Sequence, residues 1–283
     1  MPTFRVETPL RCYNAIVERG ILEHAAHFLP PKSGKVFVVS TEDVWRHQGT
    51  RLERALAGIA HDVLYLPGGE DHKRLAPVEK LAEEMVRRRG DRSSVVVAFG
   101  GGIVTDMAGF LAAIFMRGIP VVEIPTTLLA QVDAAIGGKT GVNLETGKNL
   151  IGSFHQPLAV LIDPGVLETL PEREYRAGLY EILKAGVIRS EPLFRFLAEQ
   201  SADVLARRPE AVDRIIAESV EIKAEVVSAD ERRRSAAHPE FRPYFRARAR
   251  SRDRLYPLPA RRSGRFRHVR GSLPGGVDRI SVG

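Results

Sequence analysis

The sequence predicts an α/β fold: a parallel sheet with helices on its faces, followed from about residue 165 by a mainly helical domain. Three observations carry this. Short β-branched apolar runs alternate with helically spaced stretches over the first half of the chain, the pattern of a parallel sheet built from strand–helix units. The apolar run Val95–Phe99 leads through Gly100, Gly101 and Gly102 into the helix-like segment Ile103–Met116. From Asp163 onward the strands stop, and proline and acidic residues precede each helical pattern, as helix starts favour.

The elements follow in order. Phe4–Glu7 and Tyr13–Val17 read as short strands, with Gly20 opening a helix. Lys35–Ser40 (KVFVVS) is a buried strand, Val44–Leu56 a helix and His61–Leu66 a strand. Pro67–Lys73 (PGGEDHK) is a turn rich in glycine and charge. Leu75–Arg89 places Leu75, Val78, Leu81, Ala82, Met85 and Val86 at helical spacing. A second apolar run, Pro120–Ile124, ends at Pro125-Thr126-Thr127. Lys139, Lys148 and Asn149 lie among glycines, in segments expected to be loops. Arg176–Val187 and Ala211–Val227 are helix candidates. On the first, Glu181 and Lys184 stand one turn apart on one face.

Strand, glycine turn, helix is an arrangement that cradles phosphate: glycine lets backbone approach, and unpaired N–H groups at the helix start attract an anion. Ligands of parallel sheets sit at the carboxyl ends of the strands. PGGEDHK, GGG and PTT all fall there, so spacing alone supports a dinucleotide site. A glycine cluster by itself is often only a tight turn. Lys73 and Lys148, taken singly, would read as solvated surface charge.

Composition narrows the setting. The 283 residues suit one large domain or two ordinary ones, and 44% hydrophobic content is normal for a globular chain. No apolar run is long enough to span a membrane, and the N-terminus has no signal-peptide layout. A single cysteine, Cys12, forms no internal disulfide, which fits a reducing cytoplasm. The net charge is +7, but residues 232–283 hold fifteen arginines, no lysine and three acids. That segment is +12, which leaves −5 on residues 1–231. A basic arm binding a phosphate backbone is one reading of the tail; nothing in it points to base recognition, and no nucleic-acid partner is expected.

The stretches GGGIVTDMAGFLAAIFMRGIP, IPTTLLAQVDAAIGGKTGVN and GKNLIGSFHQP together resemble the 3-dehydroquinate synthase family, the NAD-dependent sugar-phosphate cyclases. The resemblance implies a Rossmann-like NAD-binding domain over residues 1–164 and a helical metal and substrate domain from residue 165. It implies NAD contacts at Gly68, Gly69, Glu70, Asp71, His72 and Lys73, and at Gly101, Gly102, Ile103, Val104, Thr105 and Asp106. Further contacts fall on Thr126, Thr127, Lys139, Lys148, Val166, Leu167, Glu168 and Thr169. Thr105 stands where glycine is expected and would crowd a pyrophosphate; Gly68 stands where many relatives have aspartate. Glu181 is assigned to a divalent metal, zinc or cobalt. Arg117 and Lys139 would hold anionic substrate groups, Asp133 and Asn149 hydroxyls, and Lys184 and Lys223 the carboxylate or phosphate. Outside the motif, Asp133 would read as a helix cap, Arg117 as part of a surface ion pair, and Glu181–Lys184 as an i,i+3 pair.

The implied reaction converts 3-deoxy-D-arabino-heptulosonate 7-phosphate to 3-dehydroquinate and phosphate, a step of aromatic amino-acid synthesis. Alternatives are another sugar-phosphate cyclase, a metal-dependent alcohol dehydrogenase of related fold, or a non-catalytic NAD-binding remnant. A homodimer is a further expectation.

The resemblance stops at about Asp230-Glu231. The family continues with N-x-G-H-T-x-G-H and then L-H-G-E, which supply the metal-binding histidines. Here the chain reads RRRSAAHPEFRPYFRARARSRDRLYPLPARRSGRFRHVRG. This makes residues 165–231 an incomplete domain and residues 232–283 an aberrant tail expected to lack order. His238 and His268 lie in no helical pattern that would aim them at a metal. One allowed codon choice for Ala237–Ala247, read from the second base of the His238 codon, gives I-L-N-F-G-H-T-F-G. A similar shift further on permits L-H-G-E. The expectation is a one-base slip near Arg232–Ser235, with impaired activity; coding DNA whose other frame lacks both motifs would refute it.

Overall fold

The computed structural model describes residues 2–9 and 11–236, with side chains through residue 230. These residues fall within one compact unit. The Arg-rich tail is expected to lack order from residue 232, but residues 232–236 continue the helix Pro209–Ala236; the rest of that reading lies outside the described residues.

Seven strands form one sheet. They are β1 (Thr3–Glu7), β2 (Cys12–Val17), β3 (Val36–Ser40), β4 (His61–Tyr65), β5 (Val95–Gly100), β6 (Val121–Pro125) and β9 (Ala159–Ile162). Their order across the sheet is β1-β2-β9-β6-β5-β3-β4. All neighbours are parallel except β1, which pairs antiparallel with β2 at one edge. β3 and β5 are buried at every position, as central strands covered on both faces must be. Successive residues alternate between faces. Val36 and Val38 join one core, Phe37 and Val39 the other.

Helices fill both faces. α2 (Leu75–Arg87) and α3 (Gly102–Ile114) pack on one with Val78, Leu81, Met107 and Leu111. The other face takes Leu52 of α1 (Glu42–Ala55), Tyr175 and Ile182 of α4 (Glu172–Arg189) and Ile215, Ile216 and Val220 of α7 (Pro209–Ala236). Two short helices, α5 (Glu191–Glu199) and α6 (Ser201–Leu205), link α4 to α7.

Several expectations are corrected. Lys139, Lys148 and Asn149 are not in loops: β7 (Lys139–Leu144) and β8 (Gly147–Phe154) form an antiparallel hairpin. Its glycines hid the period-2 pattern because they serve close approach. A Cβ on Gly152 would stand 2.1 Å from the Thr140 carbonyl oxygen. Gly20 opens a helix as expected, and that helix, Ile21–Phe28, is of the 3₁₀ type. The four-residue strand β9 and a π-helical turn at Ala130–Ala134 were not foreseen.

Of the two long helices that follow the sheet, one exposes large apolar side chains. α4 shows Tyr180, Leu183 and Val187 to solvent. α7 does not, because its apolar face lies in the core and Glu7 of β1 bonds to its Ser228 at 2.9 Å.

Candidate functional site

The carboxyl ends of β3, β4, β5, β6 and β9 open on one cleft of about 870 Å³. Each connection contributes: Thr41, Asp43, His47 and Gln48 after β3; Gly68, Gly69, Glu70 and Lys73 after β4; Gly101–Val104 and Asp106 after β5; Thr126 and Thr127 after β6; Val166 and Thr169 after β9. The β7–β8 hairpin adds Lys148 and Asn149. α3 begins here with no side-chain cap and no acid in its first turn, so its N-terminal N–H groups and dipole are available to an anion. Gly101 is needed at that turn, since a Cβ there would stand 2.9 Å from the Thr127 Cγ2.

A polar cluster floors the cleft. Lys73 is 4% exposed. Its ammonium pairs with the Asp106 carboxylate and donates to Asn149 Oδ1 at 2.6 Å. Asn149 adopts φ 54°, a left-handed conformation that asparagine tolerates better than most residues. Its N–H donates to Asn143 Oδ1 at 2.8 Å. Glu70 accepts from Asn143 at 2.9 Å and pairs with Lys148 at 3.3 Å. The hairpin is thus tied to the β4–α2 turn.

Burial governs the acidity of this cluster. It raises the Asp106 carboxyl above its ordinary value; Lys73 opposes the shift, while Glu70 and Asp133 add to it. Burial also pushes Glu70 up, but hydrogen bonds from Asn143 and Lys148 and the nearby lysine charges outweigh it, leaving Glu70 below its ordinary value. Beneath, Glu123 of β6 is 4% exposed, and its Oε2 is buried without a hydrogen-bond partner. Desolvation, then the charge of Asp106, raise it well above 4.5.

Not every expected residue reaches the cleft. Asp71, His72, Thr105, Leu167 and Glu168 do not line it. Thr105 is 2% exposed and its hydroxyl donates to the Gly102 carbonyl, so the expected crowding is absent. Lys139 borders an adjoining cavity of about 340 Å³ that shares Asp106 and Asn149 with the cleft. Asp133 lies inside the π-helical turn, not at a helix cap, and pairs with Lys223 of α7; its neighbour Ala134 lines the cleft. Lys184 and Glu181 form an ion pair at 2.7 Å on α4. Arg117 is placed apart, in a cavity of about 440 Å³ with Arg11 and His155. It sits on a turn where Met116, Arg117 and Gly118 have φ of 50°, 71° and 117°.

The described residues contain no group of three His, Cys, Asp or Glu side chains able to hold a metal. A catalytic zinc site takes about three protein ligands, so Glu181 alone does not fit one.

Residues of the β3–α1 connection and Leu170, Pro171, Arg173 and Glu174 also line the cleft. The former were legible: KVFVVS ends at Ser40 as the other strands end, and its carboxyl end is equally a ligand position. The latter had no comparable signal.

Comparison with known proteins gives a consistent picture. Residues 63–177 match the model for the 3-dehydroquinate synthase N-terminal part and residues 178–238 that for its C-terminal part. A 3-dehydroquinate synthase of Solibacter usitatus is 75% identical over 232 residues, which are 82% of this chain and 65% of that protein. One from Koribacter versatilis is 47% identical, over 80% of this chain and 63% of that protein. The chain thus spans a little under two thirds of these relatives' length.

Among solved structures, 2-deoxy-scyllo-inosose synthase complexed with carbaglucose-6-phosphate, NAD+ and Co2+ aligns with a TM-score of 0.75 and 27% identity, covering 82% of this chain and 64% of that one. The 2-epi-5-epi-valiolone synthase of Streptomyces hygroscopicus, with NAD+ and Zn2+ bound, aligns at 0.72 and 32%, covering 77% and 62%. An iron-containing alcohol dehydrogenase aligns at 0.63 with 17% identity, over 79% of this chain and 68% of that one, and shares the fold alone.

Proposed function

The chain belongs to the 3-dehydroquinate synthase family, and on that premise we propose that residues 2–236 form the NAD-binding and part of the substrate-binding machinery of such an enzyme. The whole reaction would convert 3-deoxy-D-arabino-heptulosonate 7-phosphate to 3-dehydroquinate and phosphate. The observation that carries this is the shared cleft. Loops from five strand ends and one hairpin meet where an uncapped helix start, Gly101 and Lys148 offer N–H groups and charge to a pyrophosphate. The identity of 75% to a 3-dehydroquinate synthase, against 27% and 32% to the other cyclases, supports that substrate over theirs.

NAD, when bound, supplies a reversible hydride acceptor; the protein's part is orientation. Gly101, Gly102, Thr126 and Thr127 would border its phosphates. Asp43 and His47, on the first turns of α1, would face its sugar end. Asn149, held by Lys73 and Asn143, is set to hold a substrate hydroxyl at the cofactor's edge. The Asp133–Lys223 pair and Lys184 would take substrate anions and hydroxyls, with binding energy directed at fixing the reacting carbon.

The described residues do not make a site for the metal. The 283-residue polypeptide is therefore proposed to bind NAD while sustaining little turnover. Arg117, outside its own cleft, supports a homodimer in which it would serve a second copy. A cytoplasmic location is part of the same proposal. The test is phosphate release from the sugar-acid phosphate with NAD and zinc present. A rate within tenfold of the Solibacter relative's defeats the claim of impairment.

A further inference from the structure

A chain of hydrogen bonds runs behind one wall of the cleft. Asp163 directly follows β9 and is 1% exposed. Its Oδ1 accepts from the Gly165 N–H at 2.8 Å, capping the 3₁₀ helix Pro164–Thr169. Its Oδ2 accepts from Arg51 Nη2 of α1 at 2.8 Å. The same guanidinium reaches Gln48 Oε1 through Nη1 at 3.3 Å. Gln48 Nε2 in turn donates to the Thr169 hydroxyl at 2.9 Å. On the other side, the fully buried Gln131 donates through Nε2 to the carbonyls of Asp163, 2.9 Å, and Pro125, 3.2 Å. The ends of β6 and β9, the middle of α1 and the 3₁₀ helix are thus joined through side chains.

We infer that Arg51 and Asp163 are positioning residues of the nucleotide cleft. Neither lines it. Both ends of the relay do: Gln48 and Thr169 are wall residues, and Thr126 and Thr127 follow Pro125 directly. Arg51 reads two acceptors with one planar fork, which fixes the spacing of α1 from the β9 connection. A lysine in its place offers a point charge that satisfies Asp163 without spanning to Gln48. Gln48 would then lose the bond that orients its amide, and Thr169 the donor that holds its hydroxyl. The inference rests on the NAD reading of the cleft.

The test uses the full 283-residue chain and NADH. Trp45, the single tryptophan, lies on α1 one turn before Gln48, so energy transfer from it to bound NADH reports the wall's position as well as occupancy. The variants are Arg51→Lys, Thr169→Val and the double variant, with melting temperature measured for each. The relay predicts that Arg51→Lys melts within a few degrees of the parent, binds NADH about tenfold more weakly and changes the transfer efficiency at saturation. It also predicts that the double variant binds no more weakly than Arg51→Lys alone, since coupled residues are non-additive. Thr169→Val alters an exposed side chain, so it reports even where Arg51→Lys folds poorly, through a loss of several-fold. Parent-like binding by both single variants, or losses that multiply in the double variant, overturn the inference alone. A folded parent chain that binds no NADH overturns the cofactor reading, and this inference with it.

Discussion

Lys73 Nζ donates to Asn149 Oδ1 at 2.6 Å across 76 residues of sequence. This bond joins the turn after β4 to the β7–β8 hairpin. Because Lys73 also pairs with Asp106, one buried ammonium ties three elements together at the cleft floor. Each partner comes from a different part of the chain, which is why the cleft depends on the whole sheet and not on the glycine turn alone.

Replacing that ammonium tests its structural and binding roles together. Lys73→Met leaves Asp106 mostly buried without its cation, and losing one partner of such a pair costs about 3 kcal/mol. The expected outcome is a fall of that size in urea-unfolding stability and NAD affinity at least tenfold weaker. Affinity unchanged in the folded variant would remove Lys73 from the site.

Glu123 gives a pH dependence of defined sign. Its carboxyl is raised in the folded protein, so the protonated form is favoured by folding. That contribution is fully present below the ordinary value of 4.5 and is lost as pH rises through the folded value. Glu123→Gln keeps the neutral shape and removes the titration. The variant should therefore gain on the parent as pH rises from the ordinary value of 4.5 toward neutrality, read as a melting-temperature difference that widens with pH. A constant difference across that window would contradict the assignment.

Gly178 sets how closely α4 approaches the turn after β6. A Cβ there would stand 2.6 Å from the Leu128 side chain and 2.7 Å from the Leu129 backbone nitrogen. Alanine improves helix propensity by about 1 kcal/mol, but displacing backbone costs more, about 1–3 kcal/mol. Gly178→Ala should lower the urea midpoint. It should also shift the orientation of Glu181 and Lys184, about one and two turns further along α4. A stabilised variant would show that the helix can move freely.

Metal removal should leave the protein indifferent. With Glu181 as the one matched ligand among the described residues, the polypeptide should retain well under one zinc after dialysis. Chelation should not change its melting temperature. One tightly held zinc per chain, with a chelator-sensitive melt, would show that the donors are supplied elsewhere in the sequence.

Much of this was legible in sequence because two periods rarely mislead. Fully apolar runs such as VVVAF and VFVV can only be central strands or buried helices, and the glycines following the first decide for a strand. The cleft loops followed from the strand ends. What escaped was set by packing. The hairpin from Lys139 to Phe154 is glycine-rich, and its strand character comes from cross-strand approach rather than from β-branched side chains. The strand Ala159–Ile162 is too short to show a period. Arg117 was assigned to a substrate anion by motif, yet its position depends on a left-handed turn at Met116–Gly118 that no periodicity announces. The burial of Lys73 was unreadable too, since it depends on Asp106 and Asn149 arriving from elsewhere.

The most direct test of the central claim is a calorimetric titration of the folded 283-residue chain with NAD, repeated on Gly101→Val. A Cβ at Gly101 meets Thr127 at 2.9 Å, so the larger side chain should fill the start of α3. Saturable binding of one NAD per chain by the parent, and at least tenfold weaker binding by the variant, are the expected results. No heat of binding up to millimolar NAD in a folded parent, or equal affinity in the two proteins, would contradict it.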